Sequence, residues 1–182
     1  QLFRLNLNAN GDLVKNSIKI VSLRNTILND PVLAPFQVIP SKENGVDIEG
    51  IAADEDNKLY IGFRGPVLRG GFVPILILKV DFEAGDIDED IVYVNLGGRG
   101  IRDMVKVDGV KDEFLIVAGP IGDEPTSYQL YRWNGQNTVP GTDKPDAGNN
   151  IQAVCVIPPP SGSEDAKAEG ITFISKKSNT YR

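Results

Sequence analysis

Apolar and polar residues alternate with a period of two in short segments along most of the chain. This period is typical of β-strands, whose successive side chains point to opposite faces of a sheet. Turn pairs such as Asn10-Gly11, Asp108-Gly109 and Asn134-Gly135 separate the segments, as they do in antiparallel hairpins. The pattern predicts strands at Leu2–Leu7, Ser17–Leu23, Ile48–Ala53, Leu59–Phe63, Pro74–Phe82, Ile91–Leu96, Ile101–Val107, Glu113–Ala118, Tyr128–Trp133, Ile151–Ile157, Glu169–Ile174 and Tyr181-Arg182.

Helical periodicity is almost absent from the chain. The best candidate is a short turn within Thr26–Ala34, inside the long connection 24–46. Many short strands with regularly spaced turns predict an all-β fold, which leaves a sandwich, a barrel or a propeller.

An internal repeat distinguishes among these β folds. The segment Ile48–Ala52 recurs 53 residues later as Ile101–Val105, and a third copy begins at Ala168. The first two copies each lead to a Gly-Pro pair, Gly65-Pro66 and Gly119-Pro120. Four strands in about 50 residues is the size of a propeller blade. The repeat therefore predicts a β-propeller-type domain built from four-stranded antiparallel blades.

The strand predicted at Pro74–Phe82 supports this choice. Ile75 and Ile77 lie on one of its faces, and Leu76 and Leu78 lie on the other. A sandwich strand usually has one polar face, whereas the middle strands of stacked blades are covered on both sides.

The repeat divides the chain 1–182 into five parts of a single domain. They are a half blade at 1–23, the connection at 24–46, blades at 47–99 and 100–166, and a half blade at 167–182. Propellers have roughly 4–8 blades, so about three blade-equivalents do not close a ring. We expect a piece of a propeller of about six blades, truncated at both ends; the alternative is that two copies complete the ring. Exposed sheet edges also favour a homodimer.

Composition excludes several kinds of site. The chain has 19 basic and 25 acidic residues, a net charge of −6 and no histidine, so it holds no Ser-His-Asp triad and no histidine-ligated zinc. The single cysteine, Cys155, allows no internal disulfide and is predicted to be a buried packing residue. The acidic charge argues against nucleic-acid binding. No segment approaches the roughly 20 apolar residues that span a membrane, and the sequence predicts no cofactor or metal and leaves the compartment open.

Four arginines mark the candidate binding surface. Arg64 and Arg69 flank one glycine-rich loop, and Arg99 and Arg102 belong to another. In a propeller these two loops lie on the same face, where glycine lets backbone N–H groups approach a ligand and arginine binds carboxylate or phosphate. We expect this face to bind an anionic small molecule or a peptide.

Two other interpretations remain open for the same face. Glu49, Arg102 and Glu169 occupy equivalent positions in the repeat, so they are also candidates for an ion-pair network with a structural role. Alternatively, Glu49, Asp103 and Glu169 would serve a hydrolase of a phosphate ester or lactone that uses carboxylates and an oxygen-ligated metal. No catalytic residue is assigned on either view.

The acidic run Asp81–Asp90 resembles a calcium-binding loop only in part. A loop that begins at Asp86 has Ile91 at its sixth position, where glycine is required, and Gly97 at its twelfth, where glutamate is required. The run is therefore predicted to be a solvated turn.

The two arginine-glycine loops also carry a family resemblance. The string GFRGPVLRG at Gly62–Gly70, the string GGRGIRD at Gly97–Asp103 and the Glu-Gly strand starts at Asp47–Gly50 and Ala168–Ile171 resemble the signatures of an uncharacterised bacterial propeller-like family of unknown function. The resemblance implies a propeller-like domain with no established activity. A looser similarity to esterase-like phytase propellers is confined to the Glu-Gly-Ile strand starts and transfers no activity.

Overall fold

The computed structural model describes residues 1–139, 149–163, 165–177 and 180–181. It contains one α-helix, α1 at Arg24–Asn29, and two single-turn 3₁₀ helices at Ala34–Phe36 and Ser41–Glu43. No helix in these ranges is long and apolar enough to cross a membrane. The strands are β1 (Leu2–Arg4), β2 (Lys19–Val21), β3 (Asp47–Ala53), β4 (Leu59–Gly65), β5 (Phe72–Asp81), β6 (Asp86–Asn95), β7 (Gly100–Lys106), β8 (Phe114–Gly119), β9 (Tyr128–Trp133), β10 (Ile151–Ile157), β11 (Lys176–Lys177) and β12 (Thr180–Tyr181).

Two four-stranded antiparallel sheets form the body of the structure, which confirms the predicted all-β class. The first sheet has the order β3-β4-β5-β6, and the second has the order β7-β8-β9-β10. Within each sheet, the strands that pair are consecutive in sequence. Two short hairpins, β1-β2 and β11-β12, complete the strand pairing. Across the described ranges the sheets remain open and form no closed ring.

The middle strands are apolar because both of their faces are covered. Val73, Ile75, Leu76 and Leu78 of β5 are each at most 1% exposed, although successive residues point to opposite sides. The burial on both faces that was inferred from the sequence is therefore present.

A glycine pair brings the two sheets into contact. Gly50 of β3 lies opposite Gly62 of β4, and β7 packs across this part of the first sheet. A Cβ atom on Gly50 would lie 2.9 Å from Ile101 Cγ2, and one on Gly62 would lie 2.8 Å from the same atom. Met104 occupies the adjacent space, with its Sδ 3.1 Å from the position of a Cβ on Gly62. The absence of both side chains creates the flat surface that receives β7.

Aromatic rings continue this contact at the other end of the strands. The Tyr60 ring of the first sheet lies 4.5 Å from the Phe114 ring and 5.9 Å from the Trp133 ring of the second sheet. Trp133 is 1% exposed, and its indole Nε1 donates a hydrogen bond to the Gln136 carbonyl at 2.7 Å. The buried indole therefore keeps a polar partner while its apolar surface joins the two sheets.

The segment after β9 crosses to the outer edge of the first sheet. Thr138 donates its backbone N–H to the Tyr93 carbonyl at 2.8 Å, and its hydroxyl accepts the Asn95 N–H at 2.9 Å. The Tyr93 N–H is bound by the Asn137 side-chain oxygen at 3.2 Å. These bonds satisfy the free backbone groups at this end of β6.

Some local predictions differ from the structure. The strand predicted at Glu169–Ile174 does not form, and this segment has no regular secondary structure. Asp86, Asp88 and Asp90 belong to β6 rather than to a turn, because the hairpin closes earlier, where Asp81 accepts the backbone N–H groups of residues 83 and 84.

Cys155 is exposed, and not buried as predicted, because β10 is mostly solvent-facing. The short helix predicted within Thr26–Ala34 is present as α1, shifted towards the N-terminus. Arg182, in the last predicted strand, lies outside the described residues.

We expect Gly62→Ala to destabilise the protein by about 1–3 kcal/mol, because the new methyl group would overlap Ile101 at the contact between the sheets. Urea unfolding would measure the change. Gly170→Ala is the matched control, since a Cβ atom there would meet its nearest neighbour at 3.9 Å. In an Ile101→Ala background, Gly62→Ala should cost much less; an equal cost in both backgrounds would contradict the packing argument.

Candidate functional site

The two glycine-rich loops lie against each other at one end of the sheets. The Asn95 side-chain amide donates to the Gly70 carbonyl at 3.1 Å, and a Cβ atom on Gly71 would lie 2.8 Å from the Gly98 nitrogen. Gly70 and Gly71 have φ angles of +88° and +83°, which side chains rarely tolerate. Glycine is therefore required in these loops both for the backbone conformation and for the close approach.

Five charged residues form a chain of ion pairs beside these loops, which we call the rim cluster. Arg64 pairs with Asp47 and, through Nη1, with Glu49 Oε1 at 3.0 Å. Arg102 pairs with Glu49 Oε2 through Nε and with Glu169 Oε1 through Nη2, each at 3.0 Å. The cluster joins the first sheet, the second sheet and the segment that precedes β11.

β-Bulges determine the side-chain direction of Glu49 and Arg102, the two central residues of the cluster. In the first sheet, Ile48 pairs with Phe63 and Gly50 pairs with Gly62, so Glu49 is an extra residue without a partner. In the second sheet, the register shift between Ile101 and Asp103 makes Arg102 the extra residue of the equivalent bulge. A bulge bends the strand and redirects the side chain of its extra residue. The repeat therefore supplies one bulged residue per sheet, an acid in the first and a base in the second.

Burial varies strongly across the rim cluster. The side chain of Arg102 is 5% exposed and that of Arg64 is 12% exposed, whereas Glu169 is 61% exposed. Burial raises the pKa of Glu49 above its ordinary value, although the charges of Arg102 and Arg64 act in the opposite direction. The partly buried carboxylate is thus incompletely stabilised by its two arginines.

Three buried polar atoms near the rim cluster have no hydrogen-bond partner in the described part of the chain: Arg64 Nε, Arg102 Nε and Tyr128 Oη. Arg102 Nε is 3.0 Å from a Glu49 oxygen, so the electrostatic contact is present, but its N–H is not aligned for a hydrogen bond. Unpaired buried groups of this kind are uncommon, and strain, a functional role or a bound water or ion are their known explanations.

Tyr128 was not identified as a site residue from the sequence, where its place on a strand indicated packing. Its ring lies against Gly119, where a Cβ atom would be 2.5 Å from the ring carbon Cε1 and 3.0 Å from Arg102 Cγ. Burial raises the pKa of Tyr128, and the charges of Arg102, Glu169 and Glu49 also act on it. The signal in the sequence was the glycine of the second Gly-Pro pair, which leaves room for this ring.

The other predicted residues lie outside the ion-pair chain. Arg99 donates through Nε to the Ser127 carbonyl at 2.8 Å and through Nη2 to the Ser127 hydroxyl at 3.1 Å. Asp103 accepts the backbone N–H groups of Met104 and Ile171, each at 2.8 Å. Arg69 is exposed and has no ion-pair or hydrogen-bond partner within the described ranges. The structure therefore joins Glu49, Arg64, Arg102 and Glu169, and it gives Arg69, Arg99 and Asp103 separate positions.

A comparison with protein families matches residues 6–182 to the model of a protein of unknown function (DUF3616). The chain belongs to the DUF3616 family. Comparisons with curated proteins and with solved structures gave no match. Membership confirms the predicted relationship to an uncharacterised family, and it assigns this DUF3616 chain no activity.

Carboxylates do not converge on a common point in the way that a metal ion requires. Within the described ranges, no three acidic or cysteine side chains form a group that could hold a metal. Glu49 and Glu169 contact Arg102 from its two sides, while Asp103 is engaged with backbone N–H groups. Glu49 and Glu169 are thus paired with arginines, as the ion-pair interpretation of the sequence expected.

We expect Glu49→Gln to gain stability relative to the wild type as the pH rises. A carboxyl group with a raised folded-state pKa contributes stability below its ordinary value of 4.5, and this contribution is lost as the pH rises through the folded-state value. The neutral glutamine avoids this loss. Urea unfolding at about pH 4 and about pH 7 would measure the difference, with Glu89→Gln on exposed β6 as the control. A constant difference across this range would contradict the argument.

Proposed function

We propose that the two sheets are blades of a β-propeller-type domain. Each sheet is a four-stranded meander, the two stack face to face through the Gly50-Gly62 surface, and each carries a bulge at the same position of a 53-residue repeat. Propellers have roughly 4–8 blades, and a ring of about six fits this repeat. A second copy of the chain is one source of further blades through exposed sheet edges.

We also propose that this domain is a binding module for a small anionic molecule, held where the rim cluster meets the glycine-rich loops. The observation that carries the proposal is a pair of buried donors, Arg64 Nε and Tyr128 Oη, that have no hydrogen-bond acceptor among the described residues. A carboxylate or phosphate offers several acceptor oxygens to such donors. Each charge-assisted hydrogen bond contributes roughly 1.5–3 kcal/mol.

The net charge of the rim cluster indicates that residues outside it must supply positive charge for anion binding. The rim cluster contains two guanidinium groups and three carboxylates, so it has no excess of positive charge. Arg69 and Arg99 supply that excess on the two adjoining loops, and Arg69 has no competing partner among the described residues. In this proposal Arg64 and Tyr128 provide hydrogen bonds to the anion, and Arg69 provides electrostatic attraction.

Substitution of Arg69 tests the charge contribution. We expect phosphate and citrate to raise the melting temperature of the wild type at constant ionic strength, because a ligand that binds only the folded state stabilises it. Arg69→Ala should remove most of this shift while leaving the ligand-free protein equally stable. Arg24→Ala, which removes another exposed arginine with no ion-pair partner among the described residues, should retain the full shift. Equal shifts in all three proteins, measured by scanning fluorimetry, would refute the role of Arg69.

Substitution of Tyr128 tests the unpaired hydroxyl. Tyr128→Phe removes a buried polar atom that has no partner, so the ligand-free protein should be as stable as the wild type or up to about 1–3 kcal/mol more stable. Anion affinity should fall about tenfold, which corresponds to about one lost hydrogen bond. Chemical unfolding and calorimetric titration would measure the two effects. Lower stability with unchanged affinity would show that the hydroxyl serves the fold instead.

A further inference from the structure

A groove lies next to the rim cluster, between the start of β9, the end of β10 and residues 166–168. Its volume is about 660 Å³. This lies within the range of about 300–1,000 Å³ that small-molecule sites occupy. Most of its lining is apolar, and the residues that matter here are Tyr128, Val156, Ile157, Pro159, Ala166 and Ala168.

The groove follows from the way the second sheet ends. Ile157 pairs with Tyr128 at the last rung of the β9-β10 ladder. The next three residues are prolines, 158–160, which lack backbone N–H groups and cannot extend the ladder. The chain therefore leaves the sheet at this point, and the apolar surface around Tyr128 and Val156 stays uncovered; Val156 is 55% exposed.

Tyr128 connects the groove with the rim cluster. Its side chain belongs to the groove lining, while its ring edge contacts the position above Gly119 that is also next to Arg102 Cγ. Its hydroxyl is buried and has no hydrogen-bond partner among the described residues. Ser127, also in the lining, accepts hydrogen bonds from Arg99, and Lys167 is another lining residue. The apolar groove is thus bordered by three basic residues.

We propose that the groove binds the apolar body of a small amphipathic anion, such as a medium-chain carboxylate, whose head group is held by the Tyr128 hydroxyl and Lys167. This inference rests on the anion binding proposed above and specifies the class of ligand. The head group satisfies the unpaired hydroxyl, and the hydrocarbon part covers surface that is otherwise exposed to water.

A series of straight-chain carboxylates tests the inference. With the wild-type chain, calorimetric titration of acetate, butanoate, hexanoate and octanoate should show affinity that increases about two- to fourfold for each added methylene group. Octyltrimethylammonium, which has an equal chain and the opposite charge, should bind much more weakly than octanoate. Phosphate serves as an anion with no apolar body.

Two valines of β10 provide a matched pair of variants. Val156 lines the groove, whereas Val154 is 46% exposed on the same strand and is not part of the lining. Val156→Asp should abolish the dependence on chain length and leave phosphate binding in place, because it places a charge against the hydrocarbon part only. Val154→Asp should behave as the wild type.

The outcomes separate this inference from the proposed function. If all carboxylates and phosphate bind with similar affinity, the groove takes no part and the inference is overturned, while anion binding stands. If octyltrimethylammonium binds as tightly as octanoate, the groove binds hydrocarbon without the basic residues, which also overturns it. If neither phosphate nor any carboxylate binds, both proposals fail together.

Discussion

The contact between a glycine pair and two apolar side chains sets the arrangement of the whole structure. Gly50 and Gly62 face each other across β3 and β4, and Ile101 and Met104 of β7 occupy the space that their side chains would fill. Because protein interiors are closely packed, the two sheets can lie this close together only where neither glycine carries a side chain. The aromatic contact of Tyr60 with Phe114 and Trp133 then fixes the other end. Everything at the rim depends on this spacing, since ion pairs between the sheets form only at a defined separation.

The bulges place the central ion pair of the rim cluster between the two sheets. Glu49 and Arg102 are the extra residues of equivalent bulges, so both leave the regular alternation of their strands and lie 3.0 Å apart. In β7, a regular strand would place the Arg102 side chain among residues that are mostly buried, where a charge is costly. The repeated backbone irregularity therefore places charged residues next to a core that is otherwise apolar. Tyr128 reaches the same place because Gly119 has no side chain.

The sequence was informative where a pattern had one physical cause. Period-two alternation predicted the strands of both sheets, and the two apolar faces of β5 predicted its burial, because side-chain direction in a strand is fixed by the backbone. The repeat also predicted that Glu49, Arg102 and Glu169 would meet, and they do.

Other features depend on contacts that no local pattern encodes. The segment at Glu169–Ile174 has strand-like residues but is held by Arg102 and Asp103 instead of by a paired strand. Cys155 alternates like a core residue, yet no sheet in the described part of the chain packs over the outer strand β10. The importance of Tyr128 depended on a glycine in another strand.

The segment that carries Thr138 also limits how the protein can grow into larger assemblies. By occupying the hydrogen-bonding groups of Tyr93 and Asn95, it closes one end of the outer edge of the first sheet against strand addition. An uncapped edge is a template for fibrils, in which sheets lengthen strand by strand. Because the chain itself satisfies these groups, strand addition is blocked at this part of β6.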